Sequence, residues 1–293
     1  MCQMREYPAD PLACDAEAAY TLMTSVVGKS QDQETHERAA DAIEEAIATH
    51  TVAIIGGIGA QALQKMGTGT AISYRGGHFI LTARHVVEDT PDEALRFFCR
   101  PEGSLRRAQR AELRSFQQAM RVEDMYLIER IPILGRALCD ADDLAVLSVT
   151  PDIKERHRVQ FYDFDDTQTA PEAGQVVIAM GYPSDIARQI ESGNFVAFNS
   201  VEWTEVVRSS PLDDFDPSRH FLAPYHTVED EPGAHPRGFS GCGVWHRIGS
   251  TPPGKLWMPN PLLAGVFITY YSGSAMLKAV RIESVTEFLQ SIS

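Results

Sequence analysis

The stretch GFSGCG, residues 238–243, places a serine between glycines. A serine hydroxyl is a poor nucleophile at neutral pH, so a protein that uses one supplies a neighbouring base and donors for the oxyanion that forms on the attacked carbonyl. Glycine lets the backbone turn sharply, so the N–H groups of Gly238 and Ser240 can point into one hollow beside the serine oxygen. Taken alone, the stretch fits an ordinary turn between two strands, and its meaning depends on the rest of the chain.

Two upstream stretches carry the groups that such a serine needs. TARHVV, residues 82–87, follows an apolar strand and places His85 where that strand ends. DDLAVL, residues 142–147, places Asp143 at the start of another apolar strand. Histidine can take the serine proton and return it to the leaving group, and an aspartate can fix the imidazole tautomer. The chain therefore holds all three chemical types, in the order His, Asp, Ser.

These stretches resemble a known family. GTGTAISYRGGHFILTARHVV (67–87), DDLAVL (142–147) and GFSGCGVW (238–245) resemble the three signature blocks of the chymotrypsin-fold (trypsin-like) serine proteases. They are closer to the bacterial high-temperature-requirement branch than to the secreted digestive enzymes. The resemblance implies a mainly β fold with two antiparallel, six-stranded-type β-barrels. An α/β-hydrolase is disfavoured, because its nucleophile motif needs glycine at position 242 and its triad runs Ser, Asp, His.

The predicted organisation has three parts. Residues 1–50 form an extension, 51–160 the first barrel with the histidine and aspartate, and 161–293 the second barrel with the serine. From Glu34 to His50, apolar residues recur at helical spacing, which predicts an amphipathic helix that either covers apolar barrel surface or binds an activating protein. Residues 282–292 predict a closing helix on the second barrel, with no appended peptide-binding domain after it.

More than one carboxylate lies near the second block. Asp140, Asp142 and Asp143 could each orient His85. Asp143 directly precedes the apolar strand, as the family pattern has it, so it is the predicted partner and the others are expected to be solvated. The cluster lacks the pattern of a calcium-binding loop, so no metal site is predicted. The implied reaction needs no cofactor.

The resemblance also implies where a substrate binds. The position that carries a carboxylate in trypsin corresponds by counting to Ala234, and a neutral residue there argues against selection of Arg or Lys. Residues 265–270 look like the strand whose edge pairs with an extended peptide. The predicted substrate contacts on this strand are Ile268, Thr269 and Tyr270. These bulky residues could instead pack within the protein and make no contact with substrate.

Charge and cysteine content exclude some function classes. The chain has 293 residues and a formal net charge of −14, which opposes binding to nucleic acid phosphates. No apolar run is long enough for a membrane span, and the N-terminus lacks a secretory leader pattern. The five cysteines show no metal-ligand spacing, and their odd number indicates a reducing, cytoplasmic location. Cys242 is expected to be a small buried strand residue and not a second nucleophile.

The sequence thus predicts a serine endopeptidase that hydrolyses polypeptides through His85, Asp143 and Ser240, with the Gly238 and Ser240 amides as oxyanion donors. A catalytically latent or inactive barrel that binds a partner is the alternative from another class. An esterase on the same scaffold is a second alternative.

Overall fold

Two curled, mainly antiparallel β-sheets make up most of the structure, a computed structural model. It describes residues 31–59, 62–99, 131–151, 159–182, 188–189, 195–196, 200–206, 214–225, 236–247 and 261–292. The chain divides into two units, residues 1–40 and 41–293, and both sheets lie in the second. The predicted mainly β architecture with two antiparallel sheets is confirmed.

Helix α1, Gln31–Ala48, accounts for the helical pattern seen in the sequence. Within the second unit, Ile43 and Ile47 on this helix are buried and belong to the hydrophobic core. Their spacing of four residues puts both side chains on one helix face. The segment 41–48 therefore covers apolar surface of the unit to which it belongs.

The first sheet has the strand order β4-β1-β2-β3-β6-β5, with β7 pairing parallel to β2. Its strands are β1 (Thr51–Gly59), β2 (Ala62–Tyr74), β3 (Gly77–Ala83), β4 (Arg96–Cys99), β5 (Ile133–Cys139), β6 (Leu144–Val149) and β7 (Tyr162–Asp163). A two-residue turn joins β2 to β3, with φ values of 47° at Arg75 and 81° at Gly76. Turns with two positive φ values match the twist of a hairpin. The short helix α2, Arg84–Val87, follows β3 directly.

The second sheet has the order β11-β8-β13-β14-β15-β12, and a separate pair joins β9 to β10. These strands are β8 (Val176–Gly181), β9 (Arg188–Gln189), β10 (Phe195–Val196), β11 (Ser200–Glu205), β12 (His220–Pro224), β13 (Gly243–Arg247), β14 (Pro261–Tyr271) and β15 (Met276–Arg281). Helix α3, Ile282–Ser291, closes the described chain and buries Val285 and Leu289. This is the C-terminal helix that the sequence predicts.

One hydrophobic cluster contains buried residues of both sheets. Strands β2 and β3 of the first sheet lie against β8 and β14 of the second, respectively. Fully buried aromatic residues such as Phe239, Phe267 and Trp245 contribute large apolar surfaces to it. The seam between the sheets is therefore packed, and it fixes how β3 and the stretch before β13 meet.

Candidate active site

Strand β3 and helix α2 together hold His85 at the surface. The last four residues of β3 are buried, and α2 buries Val86 and Val87. The chain is therefore fixed in the core on both sides of His85, whose side chain remains 44% exposed. The histidine has a fixed backbone and an imidazole that solvent reaches.

Asp143 makes three hydrogen bonds to the turn that contains His85. Its Oδ2 lies 2.6 Å from His85 Nδ1, and its Oδ1 accepts the His85 main-chain N–H at 3.0 Å. Its carbonyl accepts the N–H of Arg84 at 2.7 Å. Because an ionised carboxylate only accepts hydrogen bonds, Nδ1 carries the hydrogen and Nε2 is the basic nitrogen of the neutral ring. The Asp143 side chain is 31% exposed, so it is only partly enclosed.

The neighbouring aspartates have other partners. Asp140 lies 3.1 Å from Arg84 in an exposed pair. Asp142 is buried, and its carboxylate accepts hydrogen bonds from the guanidinium of Arg219. Of the three aspartates, Asp143 is the one that contacts His85. The expectation that Asp142 is solvated is wrong, because this carboxylate is only 2% exposed.

The serine turn is anchored on strand β2 by Thr68. The Thr68 N–H donates to the Ser240 carbonyl at 2.9 Å, and the Thr68 hydroxyl donates to the Gly238 carbonyl at 2.6 Å. Thr82 of β3 donates its hydroxyl to the Thr68 carbonyl at 2.7 Å. The turn that carries Ser240 is thus bonded to β2, which in turn is bonded to the strand leading to His85.

Glycine is required at position 241 by both conformation and space. Gly241 has a φ of +89°, a region that L-residues rarely adopt. A Cβ atom there would lie 2.7 Å from the Ala83 nitrogen and would also overlap the Thr82 hydroxyl and the Thr68 carbonyl. Gly241 of the serine turn therefore lies against the main chain of Ala83, which is two positions before His85 in the sequence.

The main-chain N–H groups of the serine turn fall into two sets. Those of Phe239, Gly241 and Cys242 donate to carbonyls of Pro236, Phe267 and Phe239 respectively. Within the described ranges, the N–H groups of Gly238 and Ser240 have no protein acceptor. The predicted oxyanion donors are therefore the two that the turn leaves without an internal partner among those ranges.

Cys242 is fully buried behind the turn. Burial raises the pKa of its thiol, because the apolar surroundings disfavour the thiolate. A thiol held in the neutral form is a poor nucleophile. Cys242 therefore acts as a small core residue, as the sequence predicts.

Strand β14 continues past its partner β13 at the end near the serine turn. The described pairing between β13 and β14 ends at Val266, whereas the pairing of β14 with β15 continues to Tyr271. Register shifts between Phe267 and Thr269, so Ile268 lies in a bulge and is buried. Thr269 and Tyr270 are half-buried. Ala234, the remaining predicted substrate contact, lies outside the described residues.

Sequence reasoning missed two residues that hold the site together. Thr68 stands within the quoted GTGT block, so its position was visible although its contact with the serine turn was not. Arg219 has no distinguishing local pattern, and only the structure shows its contact with Asp142.

Two antiparallel sheets, with a histidine-aspartate pair at the end of one and a serine turn entering the other, define a chymotrypsin-like fold. A family model described as the trypsin-like peptidase domain matches residues 67–245, more than half of the chain. The chain therefore belongs to the trypsin-like peptidase family, and the resemblance seen in the sequence is confirmed.

Solved structures that are similar to the chain include two proteases. The serine endoprotease from Yersinia pestis is 16% identical, with a TM-score of 0.50, and the match covers 86% of this chain and 65% of that chain. The chain thus spans less than two thirds of the length of that protein. The Rv3671c protease from M. tuberculosis in its active form is 15% identical with a TM-score of 0.49, and the match covers 100% of this chain and 95% of that chain. No curated protein sequence matches the chain. In the part of the chain that the structure describes, no helix is long and apolar enough to cross a membrane.

Proposed function

We propose that the protein is a serine endopeptidase in which Ser240 is the nucleophile, His85 the general base and acid, and Asp143 the residue that orients His85. The observation that carries the proposal is the 2.6 Å contact between His85 Nδ1 and Asp143 Oδ2 beside a serine turn bonded to the adjacent strand. This contact fixes the ring tautomer that a proton acceptor needs. Membership of a peptidase family supports the same assignment.

The proposed reaction runs through an acyl-enzyme. Ser240 Oγ forms a bond to the peptide carbonyl carbon while its proton moves to His85 Nε2. The C–N bond then breaks, and the imidazolium returns the proton to the leaving amine. Water attacks the ester in the second half-reaction, with His85 again accepting a proton and returning it to Ser240. The carboxylate of Asp143 stabilises the imidazolium in both halves.

The Gly238 and Ser240 amides are the proposed oxyanion donors. Their lack of a described protein acceptor supports this role, because donors that are already in place cost no reorganisation when charge develops on the oxygen. The bond from Thr68 to the Gly238 carbonyl supports a turn held in one conformation. An active enzyme needs such donors in place before charge develops on the oxygen.

The proposed substrate is an extended polypeptide that pairs with β14. Main-chain hydrogen bonds along such an edge give affinity, whereas the side-chain pockets give preference. Ile268, Thr269 and Tyr270 are the proposed contacts at the end of the strand near the serine turn. Ala234 is the proposed wall of the pocket for the side chain before the cut bond, and a neutral residue there disfavours cleavage after Arg or Lys.

A cytoplasmic location belongs to the same proposal. Cys139 and Cys242 are both free thiols, which suits a reducing compartment. A peptidase in that compartment needs control, and a protein that binds the helix near the N-terminus is the proposed activator.

Cleavage of a peptide library by the purified protein, with simple esters assayed in parallel, tests the function. Peptide cleavage by the wild type and its loss in Ser240→Ala is the expected result. Ester hydrolysis without peptide cleavage would indicate an esterase. A wild-type protein that cleaves neither substrate, alone or with candidate partners, would contradict the proposal.

A further inference from the structure

An ion pair between a buried carboxylate and a partly exposed guanidinium joins the two sheets directly beside Asp143. Arg219, which precedes β12 in the second sheet, donates from Nε to Asp142 Oδ1 at 2.7 Å and from Nη2 to Asp142 Oδ2. Asp142 lies in the turn before β6 of the first sheet and is 2% exposed. The pair is therefore a two-pronged contact between a planar guanidinium and a carboxylate removed from water.

The Asp142 carboxylate depends on this partner. Removing a charged carboxylate from water is strongly unfavourable unless opposite charge and hydrogen bonds replace the lost hydration. The guanidinium supplies both, and the Cys139 thiol adds a weak donor 3.7 Å from Oδ2. Without Arg219, the carboxylate would need a proton or water molecules in place of the guanidinium, and the turn would lose its bond to the second sheet.

Arg219 is itself held in place by its own backbone. Its N–H donates to the Asp216 carbonyl at 3.0 Å, and its carbonyl accepts the Arg281 N–H at 2.8 Å. The Asp216 side chain closes the same turn by accepting from the N–H and hydroxyl of Ser218 at 2.8 and 2.7 Å. The main chain of Arg219, from which the guanidinium extends, is thus held in place at the start of β12.

Asp143 follows Asp142 immediately and has little conformational freedom of its own. Its φ is +52°, in the left-handed region, which Asp tolerates better than most residues but does not favour. Its carbonyl and both carboxylate oxygens accept hydrogen bonds from Arg84 and His85. A rotation of the chain at position 142 would therefore change all three bonds together.

We propose that Arg219 is a positioning residue that holds Asp142, and through it the turn that presents Asp143 to His85. The alignment of the His85–Asp143 pair then depends on the docking of the second sheet against the first. The inference deepens the proposed function, on which it rests, because it assigns a residue outside the sequence motifs to the same site.

Two substitutions of Arg219 separate its geometry from its charge. Arg219→Lys keeps the positive charge but loses the planar fork, and Arg219→Gln removes the charge. Arg75→Gln is the matched control, because Arg75 pairs with Asp166 at 3.3 Å on the surface of the same unit, with side chains 54% and 37% exposed. Exposed pairs of this kind contribute little to stability.

Two readouts are measured below the unfolding temperature of each variant. In peptide hydrolysis, both Arg219 variants should lower kcat by about 100-fold, a loss that a displacement of about 1 Å in a catalytic group can cause. KM should stay within about twofold, because the ion pair does not lie on the proposed substrate strand. In proton NMR, the downfield signal of the His85 Nδ1–H that bonds Asp143 should move or broaden in both variants and remain in the control.

Wild-type kcat together with an unchanged Nδ1–H signal in Arg219→Lys and Arg219→Gln would overturn the inference. Lower thermal stability with both readouts unchanged would also overturn it, since Arg219 would then be merely structural. If Arg219→Gln does not fold, Arg219→Lys decides the question. The NMR readout needs no turnover, so an inactive wild type would contradict the proposed function while still testing whether Arg219 positions Asp143.

Discussion

The hydroxyl of Thr68 on β2 donates a 2.6 Å hydrogen bond to the carbonyl of Gly238 in the serine turn, across the seam between the two sheets. The same hydroxyl oxygen accepts the N–H of Tyr182 at 3.0 Å, and Thr68 is fully buried. One threonine therefore satisfies polar groups of the serine turn and of the end of β8. The conformation of the proposed oxyanion turn depends on a residue of the first sheet.

Thr68→Val should lower both stability and turnover. Valine keeps the branched shape but leaves the Gly238 carbonyl and the Tyr182 N–H without this partner, at a cost of about 1–3 kcal/mol for each buried group. We expect kcat for peptide hydrolysis to fall about 10- to 100-fold as the turn loses its anchor. Thr68→Ser keeps the hydroxyl and should retain most of the activity. An equal loss of kcat in Thr68→Val and Thr68→Ser would show that turnover depends on the threonine methyl group and not on the hydrogen bond.

Gly241→Ala should disrupt the serine turn. The new Cβ would overlap the Thr82 hydroxyl and the Thr68 carbonyl, in a backbone conformation unfavourable for alanine. Left-handed strain of about 1–2 kcal/mol and overpacking of about 1–3 kcal/mol predict a destabilisation of about 3 kcal/mol. Chemical denaturation measures it. Gly174→Ala is a control with a similar φ of +81° and open space around the new methyl group. Its unfolding free energy should fall only by the strain of the left-handed backbone. A similar loss in both variants would contradict the crowding described at position 241.

Asp143→Asn should lower turnover by about 10⁴-fold while the protein stays folded. Asparagine tolerates the left-handed φ of +52°, so the turn can persist. Its amide can donate to Nδ1, which would favour the wrong imidazole tautomer. Steady-state kinetics and circular dichroism measure the two properties. The variant Asp140→Asn, which changes an exposed carboxylate of the same turn, should keep wild-type kcat, and a loss there as large as in Asp143→Asn would contradict the assignment.

Stability should fall as the pH drops below about 6.5, the ordinary pKa of histidine. Burial lowers the pKa of His50, outweighing its 2.8 Å hydrogen bond to the Gln160 carbonyl, and burial also lowers the pKa values of His220 and His246. Below pH 6.5 the unfolded chain therefore binds more protons than the folded chain, and acid favours unfolding. The unfolding free energy should change by at most about 1.4 kcal/mol per pH unit for each histidine.

Urea denaturation between pH 7.5 and 5 measures this dependence. His50→Gln should lose less unfolding free energy over that range than the wild type, because one of the three histidines is gone. An identical loss in both proteins would show that His50 does not contribute.

The local parts of the site could be predicted from the sequence because each depends on neighbouring residues. The Arg-Gly-Gly turn, the apolar run of β3 and the position of His85 after it follow from hairpin chemistry and strand pattern. Asp143 could be chosen over Asp140 and Asp142 because it directly precedes the apolar strand β6.

The contacts that cross between sheets could not be predicted in the same way. Arg219 and Asp142 are separated by 77 positions, and Thr68 and Gly238 by 170. A buried carboxylate and an exposed one look alike in sequence, so Asp142 was expected to be solvated. Only the packing of one sheet on the other decides which polar groups lose water and need a partner.

The nucleophilic reactivity of Ser240 is tested most directly by covalent labelling. Intact-mass spectrometry after treatment with a fluorophosphonate should show one adduct on the wild-type protein, mapped by peptide analysis to Ser240, because only an activated serine attacks the phosphorus readily. Ser240→Ala should remain unlabelled with an unchanged unfolding transition, and His85→Ala should label far more slowly. An adduct on Ser240→Ala, or one that maps to another residue of the wild type, would contradict the account.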